Sequence, residues 1–166
     1  MKHTSLCYIE NNGSYLMLCR NKKSNDENEG KWIGIGGKFN EGETPEECMR
    51  REVFEETGLE LTSWKYRGIV TFSSDIYETE KMHLFTATSA SSHISDCDEG
   101  TLMWVPKENL SSLNMWEGDK VFLDLIANED EPFFCLELTY EKDTLIKHTR
   151  VKPPHGFKMT NSSDTA

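Results

Sequence analysis

Gly37-Lys38-Phe39-Asn40-Glu41-Gly42-Glu43-Thr44-Pro45-Glu46-Glu47-Cys48-Met49-Arg50-Arg51-Glu52-Val53-Phe54-Glu55-Glu56-Thr57-Gly58-Leu59 is the stretch on which the reading of this chain turns. Thr44 offers an N-cap hydroxyl, Pro45 fits the first helical position, and Glu47 stands three residues after the cap, ready to reach back. Gly58 supplies the left-handed residue that ends helices. A helix from 45 to about 57 follows, entered from a glycine-rich turn.

At about 100° per residue, Glu52, Glu55 and Glu56 share one helix face within an arc of about 100°. Like charges so spaced destabilise a helix by some tenths of a kcal/mol per pair, and a solvated acidic face is the common outcome. Three features argue otherwise. A glycine-rich turn precedes the helix, Arg51 stands four residues before Glu55 as an ion partner, and Met49 and Val53 flank the stripe with apolar surface. That surface presses the stripe against the rest of the protein, where carboxylates demand cations. Oxygen-only ligands point to Mg²⁺, with Mn²⁺ as a substitute, and to metal-assisted attack of water on phosphorus. Glu43 and Arg51 read as ties between the loop and the helix, and Glu47 as a member of the capping box alone.

Outward from the helix, segments 3–10 and 14–20 flank an Asn-Asn-Gly turn signal and read as a hairpin. Residues 21–30 are polar and turn-rich, and 31–37 read as a strand broken by glycines. Segments 59–74 and 81–90 have strand-like composition, Trp104-Val105 reads as a short strand ended by Pro106, and 116–128 as a second helix. Segments 133–140 and 144–151 close the chain as a hairpin. The class is α/β (α+β), with mixed strands and two main helices. Residues 1–151 form one domain, and 152–166 read as a flexible tail.

The composition sets limits. With 18 Lys and Arg against 29 Asp and Glu, the net charge of −11 disfavours binding to long nucleic acid, which depends on basic side chains. No apolar run reaches membrane-span length, and no secretory leader is visible, so a cytoplasmic protein is expected. The five cysteines never form a CxxC pair and read as free thiols. A small phosphate-bearing ligand is the expected partner of a monomer, drawn in by cations on the acidic groups.

From Gly37 to Leu59, the spacing Gly37, Glu43, Arg51-Glu52, Glu55-Glu56 and Gly58 matches the Nudix signature at every defined position. Chance produces such a match on the order of once in a billion starting positions. The chain thus resembles the Nudix hydrolases, which implies an α/β/α sandwich and hydrolysis of a nucleoside diphosphate linkage. The resemblance implies catalytic roles for Glu52, Glu55, Glu56 and Arg51, and metal contacts from these glutamates and the Gly36 carbonyl. It also implies that an acid from a later loop, here Glu99, reaches the metals as ligand or general base.

Residues 30–38, Glu41-Gly42-Glu43-Thr44, Met115-Trp116 with Asp119, and 143–151 extend the likeness to the oxidised-purine nucleoside triphosphatases of the MutT-homologue type. That branch implies Trp116 stacking on a base and Asp119 bonding to its edge. It also implies Thr4, Arg20, Ile33, Gly36, Gly37 and Lys38 lining the nucleotide site. The chain departs from the branch at Gly118, where a second acid is usual, and at Ile33, where an asparagine is. Two alternatives stay open beside a purine triphosphatase. One is a Nudix hydrolase of another diphosphate, such as ADP-ribose, a dinucleoside polyphosphate or an RNA 5′ end. The other is a Nudix-fold module that binds a nucleotide without cleaving it.

Overall fold

The computed structural model describes residues 1–22 and 27–153, so part of the polar 21–30 loop and the tail from 154 onward lie outside the described residues. The central helix forms for the local reasons its sequence carries. In α1 (Pro45–Thr57) the Thr44 side chain accepts from the Glu47 amide, and the Glu47 side chain accepts from the Thr44 amide. Gly58 ends the helix at φ 70°.

Among the described residues, nine strands make one mixed sheet. In chain order they are β1 (Lys2–Asn11), β2 (Ser14–Cys19), β3 (Trp32–Ile33), β4 (Ile35–Lys38), β5 (Leu61–Ser74), β6 (Glu80–Ser89), β7 (Thr101–Pro106), β8 (Phe134–Glu141) and β9 (Thr144–Val151). The main path runs β3-β2-β1-β6-β5-β8-β9, with β4 on β1 and β7 on β2. The pairs β1–β6 and β5–β8 are parallel and the others antiparallel. Together with α2 (Glu117–Ile126), this is the expected α/β/α arrangement of a mixed sheet and two main helices.

Alternation along the strands sends side chains to two cores. Cys7 and Ile9 of β1 pack with Leu16 and Leu18 of β2 and with Met49 and Val53 of α1. Leu6, Tyr8, Tyr15 and Met17 point the other way, toward Phe122, Leu123 and Ile126 of α2. Before Arg67, even-numbered residues of β5 (Trp64, Tyr66) belong to the α1 side; after it, Val70 and Phe72 belong to the α2 side. The cause is a register shift between Tyr66 and Gly68, a bulge that holds one extra residue. That residue, Arg67, is buried and donates to the carbonyls of Ile126 and Asn128 at the end of α2.

Three details depart from the sequence expectations. The strand expected only at Trp104-Val105 runs for six residues, because β7 pairs with β2 along its whole length from Ser14 to Cys19. A 3-10 turn, Lys107–Ser112, follows it and was not foreseen. The opening hairpin is present, yet β1 and β2 pair only at Glu10–Tyr15 and Asn11–Ser14. Beyond these pairs they part, β1 taking β4 as its neighbour and β2 taking β3 and β7. No helix among the described residues is long and apolar enough to cross a membrane.

Candidate functional site

The parting of β1 from β2 opens a cleft of about 700 Å³. Lys2, Thr4 and Leu6 line it from β1, Arg20 and Ile33 from the β2–β3 side, and Gly36, Gly37 and Lys38 from β4. Glu52 of α1 and Glu99 of the β6–β7 connection stand at one end. Phe72, Tyr77, Glu80, Met82, Trp116 and Asp119 gather at the other.

The acidic end is built around α1. Burial of Met49 and Val53 fixes the helix against the sheet and turns Glu52 and Glu56 inward. Glu56 is only 7% exposed, and its Oε2 has no hydrogen-bond partner. Burial, then the charges of Glu99 and Glu52, push its carboxyl up to about 9. Glu52 is raised by burial too, with Arg51 pulling the other way. Glu52 and Glu56 therefore titrate as a pair, with the Glu99 carboxylate beside them, and a proton belongs to the pair rather than to either residue.

Two arginines hold these acids. The Arg51 guanidinium donates to Glu43 through Nε (2.7 Å) and Nη2 (2.9 Å), to Glu52 (2.8 Å), to Glu55 (3.2 Å) and to the Lys38 carbonyl (3.0 Å). The hydrogen bonds from Arg51 hold the Glu43 carboxyl below its ordinary value. The loop-to-helix tie read from the sequence is thus present. Arg20 reaches across to Glu99 at 3.0 Å.

Glycines let these parts come close. A Cβ on Gly37 would lie 2.5 Å from the Glu52 carboxyl, and one on Gly36 would collide with the Ser5 carbonyl of β1. Gly37 therefore makes room for the carboxylate, while Gly36 allows the pairing of β4 with β1.

Not every predicted residue lines the cleft. Glu55 is 57% exposed on its side chain, pairs with Arg51 and does not line the cleft. Glu56 lies behind the cleft wall rather than on it. Among the described residues, no three carboxylate, imidazole or thiolate groups converge as a preformed metal centre. The donor set still suits a hard divalent cation. Its side-chain donors are carboxylate oxygens only, one of them buried without a partner, where a cation would offset the cost of burial.

The other end is aromatic. Trp116 is almost fully buried, with Phe72, Tyr77 and Tyr140 edge-on around its ring and the Lys31 ammonium 4.7 Å above it. Its indole N–H donates to Asn28 Oδ1 at 2.7 Å. Asp119, in the first turn of α2, is 6% exposed, and burial followed by the charge of Glu80 pushes it up to about 8. Thr4 Oγ1 donates to Glu80 at 2.6 Å. Trp116, Asp119, Thr4, Ile33, Arg20 and Lys38 are thus brought into one cleft with Glu52 and Glu99. Sequence reasoning missed Lys2, Asn28, Phe72, Tyr77, Glu80 and Met82. An even-numbered run on β1, β5 and β6 is the signal left by Lys2, Phe72, Glu80 and Met82, readable once the parallel register of β1 and β6 is known, whereas Asn28 and Tyr77 lie in loops.

A sequence model of the NUDIX domain matches residues 2–126. The oxidized purine nucleoside triphosphate hydrolase of Danio rerio is 35% identical over 102 residues, covering 60% of this chain and 65% of that protein, just under two thirds of its length. Nucleoside triphosphatase NudI of Enterobacter sp. (strain 638) is 32% identical over 134 residues, covering 72% of this chain and 93% of that one. A crystal structure of a MutT protein from Bacillus halodurans superposes with a TM-score of 0.79 at 23% identity, covering 93% of this chain and all of that one, and shares the fold.

Proposed function

The chain belongs to the NUDIX family of hydrolases, and from that premise we propose that it cleaves purine nucleoside triphosphates, oxidised ones included, to monophosphate and pyrophosphate. One observation carries this reading: a single cleft joins the acidic unit of α1 to a buried aromatic and carboxyl floor. A volume of about 700 Å³ suits a nucleotide-sized ligand. The relatives named for nucleoside triphosphates support the choice of substrate class.

Glu52, Glu56 and Glu99, with the Gly36 carbonyl, would hold Mg²⁺, and Mn²⁺ would substitute. The bound metal would supply charge neutralisation on the diphosphate and an acidified water. The chain's own groups do the rest. Arg51 fixes Glu52 in place and keeps Glu55 at the rim. Arg20 and Lys38 face the phosphates with positive charge. The Glu52–Glu56–Glu99 unit takes up the proton of the attacking water, since coupled acids share it. Trp116 and Phe72 hold the base by apolar contact, and Asp119 addresses its polar edge.

The deciding experiment is steady-state kinetics in Mg²⁺ with 8-oxo-dGTP, 2-hydroxy-dATP, dGTP and ADP-ribose, with products identified. Monophosphate and pyrophosphate from the purine triphosphates are the expected result. Failure to turn over any of them, with ADP-ribose cleaved instead, would overturn the substrate assignment while leaving the hydrolase assignment standing.

A further inference from the structure

The cleft end that holds Asp119 has a second acid, Glu80, and it sits on the sheet rather than on the helix. Lys2 pairs with Glu80 in the parallel β1–β6 register, and Phe72 of β5 pairs with Glu80 from the other side. Glu80 therefore lies mid-sheet on the face that carries Thr4, Leu6, Phe72 and Met82, opposite α2. Its carboxylate is anchored: Oε2 accepts from Thr4 at 2.6 Å, and Oε1 lies 3.4 Å from the Lys2 ammonium. A carboxylate has about four lone-pair sites, so two remain for a ligand.

The helix cannot supply this acid. A Cβ at Gly118 would meet Leu138 Cδ1 at 2.5 Å and the Tyr140 hydroxyl at 2.7 Å. That hydroxyl accepts from the Gly118 amide, so it already fills the space. Asp119 next to it is more than nine-tenths buried, lines the cleft, and makes no hydrogen bond through its carboxyl to any described residue. An unpartnered buried carboxyl facing a cleft is a group waiting for a ligand.

We propose that Glu80 is a specificity-determining residue of the nucleotide site: its anchored carboxylate accepts adjacent N–H donors of a guanine-type base edge, from the sheet wall opposite Asp119. This rests on the nucleoside triphosphatase reading. A fixed acceptor rejects a base lacking its donors far more strongly than an apolar wall does.

The test compares kcat/KM on dGTP, on dITP, which lacks the exocyclic amine, and on dTTP, for the natural chain, Glu80→Gln and Glu80→Asp. The natural chain should favour dGTP over dITP by about tenfold or more, as for a hydrogen bond to a charged acceptor. Glu80→Gln should bring that ratio close to one, with the loss on dGTP appearing in KM more than in kcat. Glu80→Asp should give an intermediate ratio. A ratio unmoved in both variants, or an equal loss on all three nucleotides, overturns the inference alone. Absence of turnover on every triphosphate by the natural chain overturns the functional reading and this inference with it.

Discussion

Glu56 and Asp119 are buried to the same degree, 7% and 6% exposed, and both carboxyls are pushed far up, to about 9 and about 8. Their surroundings differ. Glu56 faces two further carboxylates, each held by an arginine, so crowded negative charge adds to burial in keeping it neutral. Asp119 lies in an aromatic cleft floor, where lack of solvent keeps it neutral first and the charge of Glu80 adds to that. The first setting calls for a cation, and the second presents a neutral acid able to donate as well as accept. Burial alone does not assign a role to an acid; the charges around it do.

Glu56→Gln should break the first half of this comparison most severely. In Mg²⁺, kcat should fall by about 10²–10³-fold, the scale on which one preorganised charge-stabilising group acts. The same substitution should raise the melting temperature of metal-free protein at pH 8. A carboxyl whose folded pKa is raised stabilises fully below its unfolded value, and that contribution is lost as pH climbs toward 9. Mg²⁺ should therefore stabilise the natural chain at pH 8 and leave Glu56→Gln nearly unchanged in a thermal melt. Equal stabilisation of both would remove the cation from the argument.

Gly37→Ala should come next. It places a methyl 2.5 Å from the Glu52 carboxyl without disturbing Asp119. A displacement of that carboxylate by about 1 Å should cost up to about 100-fold in kcat. KM should change little, and a larger change in KM than in kcat would move Gly37 from the acidic unit to the binding of nucleotide.

Asp119→Asn probes the second half. The amide keeps the volume and the neutrality, so stability at pH 7 should hold, while KM for purine triphosphates should rise about tenfold. The natural chain should show a change in kcat/KM for purines near pH 8 that the variant lacks. A pH profile identical in both would mean that the titration of Asp119 does not reach the substrate.

His83 sharpens the contrast at the smallest scale. It is buried, bonded at Nδ1 to the Tyr66 hydroxyl, without a partner at Nε2, and held down to about 4 by burial. Its stabilising contribution should be complete above pH 6.5 and fade as pH falls toward 4, opposite in sign to the two acids. Melting temperatures of the natural chain and of His83→Gln between pH 7 and 4.5 should converge as the pH drops.

What could be read in advance follows the range of the interactions involved. The α1 cap, its glycine stop, the Arg51–Glu43 tie and the closing hairpin rest on neighbours within a few residues, and the sequence shows them directly. Glu80, Phe72 and Lys2 meet only because β1 pairs in parallel with a strand about eighty residues away. No local pattern announces that pairing. The acid missing at position 118 was visible as a departure. Its reason, a space filled by Tyr140 and Leu138, belongs to the packing of α2 on β8. Glu55 shows another limit: helical geometry put it on one face with Glu52 and Glu56, but could not show that its side chain stays 57% exposed beside Arg51.

The bulge at Arg67 has a reach that its size conceals. Removing that one residue would restore regular alternation in β5 from Ser63 onward and leave every other side chain on its present face, so the fold does not need it for patterning. What it adds is a tether at the far end of α2. The guanidinium holds the carbonyls of Ile126 and Asn128, and the opposite end of the same rigid helix carries Trp116 and Asp119. A ten-residue helix spans about 15 Å, so a slip at the tether is delivered, as by a lever, to the floor where the base would lie.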